Sequence, residues 1–287
     1  MILNRDTRIL IVGLGLIGGS YAESLSSSGY RVDAIDRDPA AISLALKRGY
    51  IGRGWSDALS APIEEYDLIV LALYPHALTE WLKEHAHRIA TGAVVTDVTG
   101  VKGCVARTAQ ELLGERAEYI SAHPMAGKEV SGVANADGNI FRGANYIIVP
   151  TERNTPEGIA TCRALAETLG FGSIHELDVE SHDSTVGYLS HLTHCIAVAL
   201  MTARDTADLA DYSGDSFLDL TRIATINDEL WSELFLSNKT ALLNEMELFE
   251  KGFDRLKQRI ASGDREGIRE ILRQSTINRR AFEHREK

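Results

Sequence analysis

Arg8-Ile9-Leu10-Ile11-Val12-Gly13-Leu14-Gly15-Leu16-Ile17-Gly18-Gly19-Ser20 is the stretch whose reading decides the fold. Four apolar residues in succession, Ile9 to Val12, predict a strand buried on both faces. Gly13, Gly15 and Gly18 then spell G-x-G-x-x-G. Gly13 permits a sharp turn, Gly15 lets backbone lie against a pyrophosphate, and Gly18 lets the following helix sit tight on the strand. A helix opening at Leu16 and Ile17 would turn unpaired N–H groups and a positive dipole end toward phosphates.

The next strand, Arg31-Val32-Asp33-Ala34-Ile35, ends in Asp36, which lies 18 residues beyond Gly18. That is close to the spacing at which a carboxylate meets the adenosine ribose hydroxyls, and a carboxylate there repels a 2′-phosphate. NAD is therefore expected over NADP. Arg37 pulls the other way, because a guanidinium at this corner can accommodate that phosphate. The competing reading is an ordinary α/β turn in which Asp36 only caps a helix.

Outward from this turn, strands and helices alternate. Asp38-Pro39 starts a helix over 40–48; Asp67 to Leu73, Ala93 to Asp97 and Glu118 to Ala122 read as strands. Helices over about 76–89 and 101–113 separate them, and Asn145 to Pro150 follows as a further strand. Such alternation implies a parallel, doubly wound α/β sheet of Rossmann type, with ligands outside the carboxyl ends of the strands. After Asp178 the apolar period becomes helical, with Val186, Leu189, Leu192, Ile196 and Leu200 in one stripe and Leu242, Met246, Phe249, Phe253, Leu256 and Ile260 in another. Two domains are expected, 1–177 for the dinucleotide and 178–287 as an all-α dimerisation and substrate domain. The wide stripes suit packing on a second copy, a homodimer.

Composition narrows the function classes. Of 287 residues 44% are hydrophobic and 25% charged, and the net charge is −11. That balance argues against nucleic acid or an anionic membrane surface as partner. No apolar run approaches the roughly 20 residues of a membrane span. The first strand starts too early for a secretory leader, and Cys104, Cys162 and Cys195 are scattered and odd in number, so a cytoplasmic protein without disulfides is expected. No ligand spacing points to a metal.

Several residues could carry chemistry. His123, in Ser121-Ala122-His123-Pro124-Met125-Ala126-Gly127, stands at a strand end facing the expected nicotinamide crevice, which suits a proton acceptor. His191 and His194, three apart on a helix, suit substrate recognition, with one of them in the core as the plainer reading. Arg222, between apolar neighbours in Asp219-Leu220-Thr221-Arg222-Ile223-Ala224, needs a carboxylate partner. Asp219, a nearby glutamate or a substrate carboxylate would each serve. Thr99 offers a hydroxyl or a helix cap, and Lys102 either reaches a phosphate or lies solvated on the surface.

Taken together, these motifs resemble the prephenate/arogenate dehydrogenase family of tyrosine biosynthesis, over nearly the whole chain. The resemblance rests on the glycine turn, Thr96-Asp97-Val98-Thr99-Gly100-Val101-Lys102-Gly103, His123 to Gly132, Phe141 to Tyr146, Ser190 to His194, Asp219 to Ala224, Trp231 and Asn238-Lys239. It implies NAD-dependent oxidative decarboxylation of prephenate to 4-hydroxyphenylpyruvate, with arogenate or both substrates as the alternative. A non-catalytic NAD-binding redox sensor is the reading from another class. By resemblance His123 takes the substrate's hydroxyl proton, Arg222 binds its carboxylate, His194 is a second contact, and His191, Glu129 and Trp231 wall the pocket. Many relatives carry a substrate-binding serine where this chain has Gly100; Thr99 is the candidate to replace its hydroxyl. The regulatory and mutase domains of some relatives are not expected here.

Overall fold

The run Arg8–Val12 forms strand β1, followed by β2 (Arg31–Ile35), β3 (Gly54–Trp55), β4 (Leu68–Leu71), β5 (Val94–Asp97), β6 (Glu118–Met125), β7 (Asn145–Val149) and β8 (Ser173–Glu176). The computed structural model describes residues 3–205 and 207–283. All eight strands join one sheet in the order β3-β2-β1-β4-β5-β6-β7-β8. Helices α1 (Leu16–Ser27), α2 (Pro39–Arg48), α3 (Pro75–His85), α4 (Ala106–Leu113) and α5 (Pro156–Leu169) cover its two faces. Successive side chains of a strand point to opposite faces. Ile9 and Ile11 therefore join the core that holds Tyr21, Leu25 and Leu165, while Leu10 and Val12 join the one that holds Ile69, Leu78 and Leu82. A strand covered on both sides has no position for a polar residue, which is why β1 reads as an unbroken apolar run.

The sheet is parallel except at one place. β7 runs antiparallel to β6, with His123 opposite Ile147, where a wholly parallel sheet was expected. Only short 3-10 turns at Val133–Asn135 and Gly138–Phe141 separate the two strands. Without a crossover helix the chain reverses instead of returning in the same direction. Chain order switches at β1, which lies between β2 and β4, so the crevice outside their carboxyl ends is the switch point where such sheets bind ligands.

The glycine turn is built as its spacing predicts. Gly13 holds φ +98°, and a β-carbon there would lie 2.4 Å from the Ala72 carbonyl oxygen. A β-carbon on Gly18 would lie 1.9 Å from the Gly13 carbonyl oxygen, whereas one on Gly15 would meet nothing within 4 Å. Helix α1 starts there with no side-chain cap at Gly15 and no acidic residue in its first turn. Helix α4, expected from Val101, begins at Ala106; the residues before it form a loop whose polar groups turn inward, as described below.

Beyond the sheet come α6 (Val179–Val186), a π-helical segment Gly187–Leu192, α7 (Thr193–Thr202), α8 (Asp215–Thr221), α9 (Asp228–Ser237), α10 (Lys239–Ala261) and α11 (Arg265–Glu283). The chain gathers into two compact units, one ending at Lys239 and the other beginning at Thr240. Helices α6 to α9 therefore share a unit with the sheet, although the change of sequence period comes at 177/178. Polar contacts tie them: both carboxylate oxygens of Asp183 accept backbone N–H groups of the loop after β5, and Glu233 of α9 accepts from His76 N. The second unit holds α10 and α11, joined at Gly263 (φ +69°), where Asp264 accepts from Gly267 N at 2.9 Å and pairs with Arg259. Among the described residues no helix is long and apolar enough to cross a membrane.

Gly18→Ala should destabilise the protein by about 1–3 kcal/mol or more in urea denaturation, since the added methyl overlaps fixed backbone. Gly15→Ala should leave the midpoint unchanged, and equal losses in the two variants would contradict the close approach at Gly18.

Candidate active site

The carboxyl ends of the parallel strands bring the expected residues to one edge of the sheet. Asp36 closes β2, and its carboxylate accepts N–H groups from Leu14 at 2.5 Å and from Asp38 at 2.8 Å. It thus holds the glycine turn in shape, while the neighbouring Arg37 is exposed. The open space at Gly15 and the uncapped N-terminus of α1 fit a dinucleotide pyrophosphate, which needs bare N–H groups and close backbone approach.

At the end of β5 lies a buried ion pair. Lys102 is fully buried, and its Nζ donates to Asp97 Oδ2 at 2.6 Å, to the Ala122 carbonyl at 2.6 Å and to Thr99 Oγ1 at 3.2 Å. All three ammonium protons are used. Asp97 also accepts from Thr99 N, the Thr99 hydroxyl, Ser121 Oγ and Ala122 N. Burial alone would raise the Asp97 pKa, but Lys102 and these hydrogen bonds lower it. Two expectations are thereby corrected. Lys102 neither reaches a phosphate nor faces solvent, and Thr99 does not turn its hydroxyl outward, because Asp97 takes it and a buried carboxylate requires its donors.

His123 lies within β6, not beyond it, half-buried. Its Nδ1 is 3.0 Å from Nε2 of His182, and His182 Nδ1 is 2.7 Å from Asp183 Oδ1. This chain of contacts assigns the protons. An ionised carboxylate only accepts, so His182 carries its proton on Nδ1, and its Nε2 must then accept from His123 Nδ1–H. The lone pair of His123 is left on Nε2. A β-carbon on Gly100 would sit 3.8 Å from that nitrogen and 3.5 Å from Leu234, so the lone pair opens beside a glycine and an apolar wall. Burial, then the neighbouring His182 and Lys102, push the His123 pKa well below its ordinary value. Burial also lowers His182, against the pull of Asp183.

The other candidates extend from this point. His191 is buried, and burial pushes its pKa down to about 4. Its ring meets Trp231 edge-on at 6.0 Å. His194 stacks on Trp231 at 3.6 Å and donates Nδ1–H to the Ser190 carbonyl at 2.8 Å. Arg222 forms an ion pair with Glu129, which answers the question of its partner within the chain. The guanidinium is 64% exposed and so is not enclosed by its apolar neighbours. Trp231 thus touches both His191 and His194. Burial lowers the His194 pKa most, and Glu129 and Arg222 bear on it in opposite senses, Glu129 raising it and Arg222 lowering it. Among the described residues no group of three His, Cys, Asp or Glu side chains could hold a metal ion.

His182 and Asp183 are not singled out by the sequence pattern. In an α-helix the nine residues from His182 to His191 make 2.5 turns and put the two on opposite faces. The π-helical segment Gly187–Leu192 winds more widely and changes that register. A His-Asp dipeptide on the same helical run as His191 and His194 is the one signal that could have pointed to the pair.

Comparison with known proteins matches residues 21–174 to the family model described as "Prephenate dehydrogenase, nucleotide-binding domain" and residues 178–274 to "Prephenate dehydrogenase, dimerization domain". A prephenate dehydrogenase of Lactococcus lactis subsp. cremoris is 30% identical, over 96% of this chain and 77% of that protein. A cyclohexadienyl dehydrogenase of Zymomonas mobilis is 29% identical, over 96% and 95%. The crystal structure of prephenate dehydrogenase from A. aeolicus, in complex with hydroxyphenyl propionate and NAD+, superimposes with a TM-score of 0.89 at 31% identity, covering 96% of this chain and 98% of that one.

Histidines held neutral by burial set the pH dependence of stability. Unfolding restores their ordinary affinity for protons, so below pH 6.5 the unfolded chain binds more protons and stability falls as pH drops. For His191, between 6.5 and about 4, this amounts to about 3 kcal/mol. His191→Gln should flatten the slope of unfolding free energy against pH in that window; an unchanged slope would exclude His191 as a source.

Proposed function

The chain belongs to the prephenate dehydrogenase family, and from that premise we propose that it oxidises and decarboxylates prephenate to 4-hydroxyphenylpyruvate with NAD, acting as a homodimer. The observation that carries the reading is the single lone pair of His123, left on Nε2 by the contacts to His182 and Asp183. NAD, when bound, would supply the acceptor for the hydride on the carbon that bears the substrate's hydroxyl. His123 Nε2 takes the hydroxyl proton as the C–H bond breaks, and the oxygen becomes a carbonyl. The C–C bond to the ring carboxylate then breaks, CO2 leaves, and its electron pair makes the ring aromatic. The oxygen recovers a proton from His123 as the phenol. Neutral His123 is required for the first step and is supplied by burial.

Arg222 binds the substrate carboxylate by exchanging it for Glu129, and His194, with its Nδ1–H tied to Ser190, offers Nε2 as an acceptor. Trp231 backs His194 as a wall. Thr99 acts only as a positioning residue through Asp97. Gly13, Gly15, Leu16, Ile17 and Gly18 hold the pyrophosphate of NAD, and Asp36 favours it over NADP against the pull of Arg37. The helical part from 178 onward supplies the second copy's docking face: Leu243, Leu248, Phe249, Phe253 and Ile260 of α10, and Leu272, Ile277 and Phe282 of α11, are all exposed in one chain. The three cysteines are unpaired, which supports a cytoplasmic location.

The direct test is absorbance of NADH on mixing protein, NAD and prephenate, with arogenate alongside. Turnover with arogenate alone would replace the proposed substrate, and NAD binding with silence toward both would favour a redox sensor. His123→Asn should lower kcat by roughly a hundredfold or more while NAD binding persists. The acid limb of kcat/KM should fall below pH 6.5, since His123 must be neutral and burial keeps it so. Arg222→Gln should raise KM by about ten- to a hundredfold, the scale of a hydrogen bond to a charged group, with kcat less affected; an unchanged KM would make the arginine a partner of Glu129 only.

A further inference from the structure

Asn238 is buried at the end of α9. Its Nδ2 is 2.8 Å from the Asp183 carbonyl oxygen and 3.2 Å from Nδ1 of His191. A carbonyl can only accept, so the group facing it must be the NH2 of the carboxamide. The same NH2 faces His191 Nδ1, and that nitrogen must therefore accept. In a neutral imidazole the proton then resides on Nε2. No group among the described residues takes a hydrogen bond from His191 Nε2, and none takes or gives one at His123 Nε2. Both histidines sit on one chain of contacts through Asp183: His123 by way of His182 and the Asp183 side chain, His191 by way of Asn238 and the Asp183 carbonyl.

We infer that Asn238 is a positioning residue that holds His191 as the neutral Nε2–H tautomer, so that His191 donates a hydrogen bond to the substrate oxygen whose proton His123 accepts. The two histidines then present opposite faces of one function, a lone pair from His123 and an N–H from His191. As the proton leaves for His123, negative charge builds on the oxygen, and a fixed donor is worth most at that moment. Gly100 offers no side chain to do this, and the Thr99 hydroxyl is held by Asp97. The assignment of the oxygen rests on the proposed reaction; the tautomer does not.

Long-range proton–nitrogen NMR of enzyme labelled with 15N-histidine reads the tautomer directly, with the His191 signals identified by their loss in His191→Gln. The wild type should show a neutral Nε2–H ring at pH 7. Asn238→Asp replaces the donor by an acceptor and should move the proton to Nδ1 or leave the ring charged. With prephenate, Asn238→Asp and Asn238→Ala should each lower kcat about tenfold or more, up to the roughly hundredfold of losing one such donor outright, and change KM little. In the His191→Gln background the same substitutions should have little further effect, which loss of packing alone would not produce. An Nδ1–H ring in the wild type would overturn the inference, as would equal losses of kcat with and without His191. Should the Asn238 variants fail to fold, the wild-type tautomer decides. Failure of the wild type to reduce NAD with prephenate is a separate result, which removes the substrate and leaves the measured tautomer standing.

Discussion

The buried pair of Asp97 and Lys102 is the constraint on which the rest of the site depends. Two opposite charges removed from water are tolerable only when every lone pair and every proton is matched. Here the matching is complete on the ammonium and fivefold on the carboxylate, and each partner is a piece of site architecture. Ser121 and Ala122 fix the strand that carries His123, and Thr99 fixes the loop that carries Gly100. The pair thus joins the ends of β5 and β6 with a rigidity that apolar packing at a sheet edge would not give.

The same loop reaches the helices. The N–H groups of Lys102 and Gly103 bind Asp183, and the Asp183 side chain orients His182 against His123. Asp183 is kept ionised in spite of burial by His182 and these two N–H groups. A continuous polar path therefore runs from Asp97 through the loop to Asp183, with His123 at one branch and Asn238 and His191 at the other. Within it every histidine has a defined tautomer, because each carboxylate and carbonyl can only accept. Such a path suits a reaction in which one proton must leave a hydroxyl for a neutral imidazole and return to the same oxygen.

The departures from expectation have physical causes. The reversal at β7 follows from the lack of a crossover helix after β6, and it places Ile147 beside His123. Arg222 lies exposed on Glu129 instead of among apolar side chains. An ion pair at the surface is weak and exchangeable, so Arg222 can change its anionic partner at small cost, which a fully enclosed pair would not allow.

What the sequence by itself determined is whatever local periodicity and backbone sterics decide. The unbroken apolar run of β1, the three glycines, Asp36 at its spacing and the change to a helical period after Asp178 specify a dinucleotide-binding sheet followed by helices. His123, His194 and Arg222 stand out in the sequence as candidates because each has a distinctive local setting. Only the tertiary structure decided that Lys102 is buried, that Thr99 faces inward, that His182 and Asp183 line up on His123, and that Asn238 meets His191. The burial of Lys102 depends on β6 lying beside the loop, with Ala122 20 positions away. The joining of helices to sheet depends on contacts between residues 55 to 81 positions apart and on a π-helical segment that resets which faces of one helix coincide. No local pattern encodes either one, since the burial of a charge and the tautomer of a ring are set by what packs against them.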